Sequence, residues 1–154
     1  MVNLKRMTIT EFNEFRSFSV ENYAKALARN LRMTFRDALE VAKKESTEEL
    51  PRGFYSEGHH FFHIENPEQK ERIGYAWIFI NLKRKNSFLY DIWINEESRG
   101  KGYAKEALQE LSSLCRKEGV KTLRLNVFAD NRQARQLYEK LGFEPCNTIM
   151  QRLL

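Results

Sequence analysis

Apolar residues recur at two different spacings along the chain, and the change of spacing separates helical from strand segments. Helical spacing runs from Phe12 to Leu31 and resumes after Thr34, which predicts two or three helices. An interruption around Ser17–Ser19 indicates either two helices or one kinked helix. Apolar, β-branched and aromatic runs then predict three strands, at His60–Asn66, Ile73–Asn81 and Ser87–Ile94.

The second half of the chain alternates between helix and strand. An apolar face at helical spacing begins at Gly102 and continues to about Glu118. Three further elements are predicted beyond it: a strand at Thr122–Phe128, a short helix from Asn131, and a last strand from Phe143 to Leu154. With Leu4–Ile9 as a first strand, this order predicts a single α/β domain over residues 1–154, with a mixed sheet flanked by helices.

The composition limits the classes of protein to which the chain can belong. The 154 residues are 42% hydrophobic and 31% charged, as in ordinary globular domains. The longest apolar run, Tyr75–Ile80, is far shorter than the ~20 residues that span a bilayer, and no apolar signal region begins the chain, so we expect a cytoplasmic protein without a membrane partner. Cys115 and Cys146 are expected to be buried free thiols.

The net charge of +5 suggests an anionic ligand. Lysine and arginine are spread along the chain without a basic block, so no nucleic-acid partner is expected. His59, His60 and His63 invite a metal interpretation, but strand alternation turns His60 and His63 to opposite faces and no nearby cysteine completes a site. We therefore expect no metal.

A glycine turn between a strand and a helix is the first candidate site. Ile94 ends the strand, Gly100 and Gly102 flank Lys101, and the helix begins at once. Unpaired N–H groups in the first turn of a helix favour anions, and Arg99 and Lys105 add positive charge. An ordinary strand–helix turn without a ligand is the alternative interpretation.

The segment from Asn126 to Phe143 is the second candidate. Its short helix carries Tyr138 beside the apolar stripe, followed by Leu141-Gly142-Phe143. A tyrosine there is either a core residue or a general acid for a leaving thiolate.

Taken together, the two segments resemble the GNAT superfamily of acyl-CoA N-acyltransferases. The family's Gln/Arg-x-x-Gly-x-Gly/Ala signature stands as Arg99-Gly100-Lys101-Gly102-Tyr103-Ala104, and its later segment stands as Asn131 to Phe143. The resemblance extends from Ile73 to Phe143. It implies a mostly antiparallel sheet in which one parallel strand pair splays apart.

The resemblance also implies which residues would bind acetyl-CoA. Backbone groups of Ile92, Trp93 and Ile94 would contact the pantetheine and polarise the acyl carbonyl. The pyrophosphate would lie on the turn formed by Arg99, Gly100, Lys101, Gly102, Tyr103, Ala104 and Lys105. Asn131 would contact the cosubstrate beside the strand gap, and Tyr138 would donate a proton to the departing thiolate.

The implied reaction is direct attack of a primary amine on acetyl-CoA, without a covalent enzyme intermediate. Family members that modify histones carry a glutamate where this chain has Tyr90, so the base is open. The candidates are Asp91, Glu96 or a histidine acting through water; we favour Asp91, although regular strand alternation would turn it to the other face unless a bulge intervenes. The acceptor amine stays unidentified, and the protein is expected to be a monomer or homodimer.

Two other functions are open at this point. The same fold could serve as a catalytically inactive acyl-CoA sensor, although Tyr138 and the intact glycine turn argue against that. A basic nucleic-acid-binding module is the third alternative.

Overall fold

The computed structural model describes residues 1–154 and shows a mixed α/β architecture with five strands and four helices. The strands are β1 (Asn3–Arg6), β2 (His59–Asn66), β3 (Glu71–Asn81), β4 (Asn86–Ile94) and β5 (Thr122–Leu125). The helices are α1 (Ile9–Asn30), α2 (Phe35–Glu49), α3 (Tyr103–Lys117) and α4 (Arg132–Lys140). No helix is both long enough and apolar enough to cross a lipid bilayer.

The five strands form one sheet in the order β1-β2-β3-β4-β5. All neighbouring pairs are antiparallel except β4 and β5, which are parallel. The parallel pairing covers only Asn86–Leu89 of β4 and ends at Leu125 of β5. Beyond Leu89 the strand β4 pairs with β3 alone, which confirms the mixed, mostly antiparallel sheet with one diverging parallel pair.

Helix α1 is continuous, so the interruption predicted around Ser17–Ser19 is absent. Its start is a capping box in which Thr8 and Glu11 exchange backbone and side-chain hydrogen bonds. The Thr8 backbone N–H, helped by nearby Arg72, lowers the pKa of Glu11 to about 2. The polar residues that break the apolar stripe are tolerated because Ser17 bonds the Asn13 carbonyl and Ser19 reaches the sheet.

Two apolar cores lie on opposite faces of the sheet. One joins the sheet to α3, with Ile64, Ile78, Leu108 and Leu111 fully enclosed. The other joins it to α1 and is largely aromatic; it contains Phe12, Phe15, Phe61, Tyr75 and Trp77. A face-to-face division of this kind is what a two-sided sheet requires, and it places β3 and β4 at the centre.

The C-terminal part of the chain differs from the prediction in two ways. Strand β5 ends at Leu125 instead of Phe128, because Asp130 binds Arg29 and Asn30 and draws the chain toward the end of α1. The predicted last strand is absent: residues 144–154 are exposed and none of them joins a backbone hydrogen bond. A strand needs a partner backbone, and within this chain the segment has none.

Candidate active site

A bulge in β4 determines which side chains face α1. Trp77 of β3 pairs with Asp91, whereas its neighbour Ile78 pairs with Leu89, so Tyr90 is an extra residue in β4. Tyr90 stacks on Trp77 at 4.6 Å between ring centroids, and Asp91 contacts α1. The bulge therefore places Tyr90 and Asp91 on the same face, where regular alternation would separate them.

Asp91 is held by two hydroxyl groups. Ser19 of α1 donates to Asp91 Oδ2 at 2.6 Å, and Tyr75 of β3 donates to the same oxygen at 3.0 Å. Burial nevertheless raises the pKa of Asp91 above its usual range, although both hydroxyls oppose that shift. A carboxyl with a raised pKa in a partly buried site is a candidate proton acceptor.

The other candidate bases have different partners, and of these His59 lies beside Trp77 and Tyr90. His59 accepts a hydrogen bond from Trp77 Nε1 at 2.9 Å, and burial lowers its pKa to about 4, so it is neutral at pH 7. His60 and His63 contact Arg6 and Glu11 respectively, and Glu96 lies on the exposed turn after β4. No group of three or more His, Cys, Asp or Glu side chains is arranged to hold a metal ion.

The edge of β4 that faces β5 has no strand partner over Ile92–Ile94. Tyr138 of α4 packs against the core on this side, together with Ile92. Burial raises the pKa of Tyr138, and the negative charge of Asp91 raises it further. The charge of Asp91 therefore acts on the Tyr138 hydroxyl, although Asp91 contacts α1 and Tyr138 packs with the core on the α3 face.

The glycine turn opens directly onto solvent. Gly100 and Gly102 have φ angles of 76° and 85°, and no atom lies within 4 Å of where a Cβ would stand. Gly102 is the N-cap of α3, so no side chain caps this helix. The first helical amide with a backbone partner is Glu106, which leaves the preceding first-turn N–H groups available to an anion.

Charged side chains around this turn have different positions. Arg99 donates from Nε to the Ile94 carbonyl at 2.8 Å, and its guanidinium lies over the Trp93 ring at 4.4 Å. It therefore braces the turn against β4. Lys101 and Lys105 are exposed and carry the positive charge on the open side.

Asn131 lies at the start of α4, where its Oδ1 accepts from the Ala134 backbone N–H at 3.3 Å. This N-cap fixes the helix that carries Tyr138. The adjacent Asp130 ties the same loop to the end of α1.

Two features of the site were not predicted from the sequence. Ser19 was noted only as part of a break in the apolar stripe of α1, and that break was the available signal of a polar contact. On α2, Glu49 accepts a 2.6 Å hydrogen bond from the Tyr90 hydroxyl. Burial and the carboxylates of Glu45 and Glu49 also raise the pKa of Tyr23, so two carboxylates of α2 lie near Tyr23 and one of them bonds Tyr90.

The chain combines diverging parallel strands, an uncapped helix after a glycine turn and a short helix that carries Tyr138, as the resemblance implied. The chain belongs to the acetyltransferase (GNAT) family, whose family model matches residues 24–143. The protein is therefore an acetyltransferase by family, as its resemblance in sequence implied.

Known relatives agree with this assignment. The chain is 37% identical over 153 residues to YdgE of Bacillus subtilis, covering 98% of this chain and 97% of YdgE. It is 34% identical to YycN of the same organism, covering 99% of both chains. Both are described as uncharacterized N-acetyltransferases. The crystal structure of YycN superposes with a TM-score of 0.93 over 100% of this chain and 99% of that one.

A shorter similarity is found with a mammalian enzyme. Over 73 residues the chain is 31% identical to thialysine N-epsilon-acetyltransferase of Bos taurus. The matched segment covers 46% of this chain and 43% of that protein.

Proposed function

We propose that this protein transfers the acetyl group of acetyl-CoA to a primary amine by direct attack. The observation that carries the proposal is the unpaired backbone of β4 beside Asp91 and Tyr138, with the open N-terminus of α3 following at its end. A thioester laid along that backbone would have an acid–base pair beside it and an anion site for its phosphates.

The cosubstrate would bind mainly through backbone groups. The first-turn amides of α3, with Gly100 and Gly102 leaving room for close approach, would hold the pyrophosphate. Lys101 and Lys105 would add charge, while Arg99 would keep the turn in place. Ile92, Trp93 and Ile94 would supply the backbone groups that hold the pantetheine, and Asn131 would border the gap from the start of α4.

Each catalytic group has one proton to move. Asp91 would take a proton from the ammonium form of the acceptor, directly or through water, and so free the amine lone pair. The nitrogen–carbon bond forms as the carbonyl oxygen becomes negative, and an N–H of the unpaired β4 backbone would stabilise that charge. The carbon–sulfur bond then breaks, and Tyr138 would give its proton to the departing thiolate. The nitrogen, still positively charged after attack, would lose its second proton through water to Tyr138, and the proton on Asp91 would pass to solvent.

The acidic group on α2 favours an acceptor with a second positive charge. Glu49 bonds Tyr90, which is next to Asp91, and Glu45 lies beside it near Tyr23. Carboxylates at this position attract a cationic substrate and orient its far end. The local similarity to an enzyme named for thialysine, itself a diamine, is compatible with an aliphatic diamine or a lysine-like acceptor.

Two measurements test the proposal in sequence. Acetyl-CoA should raise the melting temperature of the protein, whereas a simple salt at equal ionic strength should not. Thiol release should then depend on an added amine across a panel of monoamines and diamines. Absence of any thermal shift would refute the proposal, and a shift without amine-dependent release would leave an inactive acyl-CoA-binding protein.

A further inference from the structure

Three polar groups meet within the aromatic core between α1 and the sheet. Ser19 and Tyr75 are each only 7% exposed, and the half-buried Asp91 lies between them. The rings of Phe15 and Phe18 pack on Tyr75, at 4.7 and 6.0 Å between ring centroids. A buried hydroxyl costs free energy unless it is hydrogen-bonded, so an apolar residue at position 19 would suit this core better than serine. The polar cluster is therefore better explained by function than by packing.

Both hydroxyls bond the same oxygen of the carboxylate. Ser19 donates to Asp91 Oδ2 at 2.6 Å, and Tyr75 donates to it at 3.0 Å. A carboxylate oxygen has two lone pairs, so two donors occupy the full capacity of Oδ2. The other oxygen, Oδ1, accepts no hydrogen bond from any side chain and is not fully enclosed. One oxygen of Asp91 is thus held by the protein, and the other is accessible to a ligand.

We infer that Ser19 and Tyr75 are positioning residues, which hold Asp91 with Oδ1 toward the acceptor amine and so select that oxygen as the proton acceptor. The inference rests on the proposed role of Asp91 as the base. One donor comes from α1 and the other from β3, so rotation of the carboxyl group would break a bond to at least one of them. Neither hydroxyl needs to contact the substrate, and both stabilise the charged form of Asp91.

Neutral donors, and no charged neighbours, oppose the effect of burial on Asp91. Burial raises its pKa, whereas Ser19, Tyr75 and the Ile92 backbone N–H lower it. The other titratable or charged side chains around this site are Tyr90 of β4, Glu49 of α2, His59 of β2, Tyr138 of α4 and Arg99 before α3. The tyrosines have raised pKa values and His59 has a lowered one, so these groups stay neutral at pH 7. A change in the pKa of Asp91 on removal of one hydroxyl would therefore report the loss of that bond.

The pH profile of kcat/KM is the first test. Ser19→Ala removes the shorter bond and should move the acid limb of the profile upward by about 1 pH unit, which lowers activity on that limb about tenfold. Tyr75→Phe should move it in the same direction by less, because its bond is longer. Ser19→Thr should restore the wild-type limb. The control Ser17→Ala removes a hydroxyl of the same helix that bonds the Asn13 carbonyl, and it should leave the profile unchanged. An unmoved limb in Ser19→Ala, or an equal shift in Ser17→Ala, would contradict the inference.

A double-mutant cycle tests whether Ser19 acts through Asp91. In an Asp91→Asn background, Ser19→Ala should change kcat/KM less than twofold, because the group that it positions no longer accepts a proton. A loss as large as in the wild-type background would show that Ser19 acts on another group, and would overturn the inference.

Direct titration of the Asp91 carboxyl group separates this inference from the proposed function, because it needs no substrate. Carbon-13 NMR, with the signal assigned by its loss in Asp91→Asn, should show a higher pKa in Ser19→Ala and Tyr75→Phe and the wild-type pKa in Ser17→Ala. An unchanged pKa in Ser19→Ala would overturn the inference even if the protein acetylates amines. Raised values in a protein that shows no amine-dependent acetylation would contradict the proposed function, and not the hold of the two hydroxyls on Asp91.

Discussion

Asp91 owes its position to one extra residue in β4. The pleat of a regular strand would turn Asp91 away from Tyr90, and the bulge opposite Trp77 and Ile78 brings both to the α1 face. The sequence could nominate Asp91 because it is adjacent to the position where family members that modify histones carry a glutamate, but a bulge arises from pairing with β3 and leaves no local pattern. Ser19 completes the arrangement from a helix 72 positions earlier in the chain.

We predict that Asp91→Asn lowers kcat/KM by about 100-fold, the lower range for loss of a general base. In the wild-type protein, activity should fall as the pH falls through the raised pKa of Asp91, because only the carboxylate accepts a proton. The variant should lose this acid limb and keep the limb that comes from ionisation of the amine. pH profiles with a weakly basic amine measure both, and an unchanged acid limb in the variant would exclude Asp91.

The same substitution should stabilise the protein at pH 7. A buried carboxyl with a raised pKa binds its proton more tightly in the folded state, so stability is favoured at low pH and reduced above that pKa. An amide oxygen at this position can still accept from Ser19 and Tyr75. Denaturant unfolding of Asp91→Asn should show a higher free energy of unfolding than that of the wild-type protein at pH 7, and the difference should shrink toward pH 4. A lower free energy of unfolding at pH 7 would mean that the carboxylate stabilises the fold.

Tyr138→Phe should lower kcat by about 100-fold and change the affinity for CoA little, because it removes a proton donor and keeps the ring. The ring packs with Phe143 and the core, so the fold should be retained. Turnover kinetics and calorimetric titration with CoA separate the two effects. Wild-type turnover in the variant would remove Tyr138 from the acid role.

At the scale of elements, local signals predicted most boundaries correctly. The side chains of Thr8, Thr34 and Asn131 cap α1, α2 and α4, whereas Gly102 precedes α3 without a side-chain cap. The prediction of a strand at the C-terminus was wrong, because local signals do not determine whether a strand finds a partner. Apolar content can suggest a strand, but pairing depends on a partner that is distant in sequence.

The glycine turn allows a matched comparison within α3. Gly102 at the start and Gly119 just past the end both have positive φ, 85° and 78°, with open space around them. Valine at either position should cost about 1–2 kcal/mol of stability from backbone strain. Only Gly102→Val should also weaken CoA binding, by at least tenfold, because it places a side chain over the first-turn amides. Calorimetric titration of both variants checks this, and equal affinities would contradict a pyrophosphate site at this turn.

At the scale of the whole molecule, positive and negative side chains approach the candidate site from different elements. The chain is basic overall, and exposed lysines stand at the open turn before α3, whereas the carboxylates of Glu45 and Glu49 approach Tyr90 from α2. An anionic cosubstrate and a cationic acceptor would therefore be attracted to different sides of β4. The sequence motifs near α3 and α4 predicted the cosubstrate side of the site. The acceptor side could not be predicted in this way, because it depends on how α1 and α2 pack on the sheet.

Glu49→Gln should raise the KM for a diamine about fivefold relative to a monoamine of equal length, as expected for about 1 kcal/mol from a partly screened charge. Glu48→Gln is the control, because Glu48 lies on the same helix and pairs with Lys44 at the surface. Steady-state kinetics with both amines measure the ratio. An equal response of the two variants would show that the acidic group does not contact the acceptor.

The central claim, direct transfer from acetyl-CoA to an amine, is tested most directly by the stoichiometry of a rapid-mixing experiment. Enzyme and acetyl-CoA are mixed with and without the best amine of the panel, and free thiol and acetylated amine are measured together. We predict no thiol burst without amine, and one thiol released for each amine acetylated when amine is present. A burst equal to the enzyme concentration without amine, or no acetylated amine at all, would contradict the account.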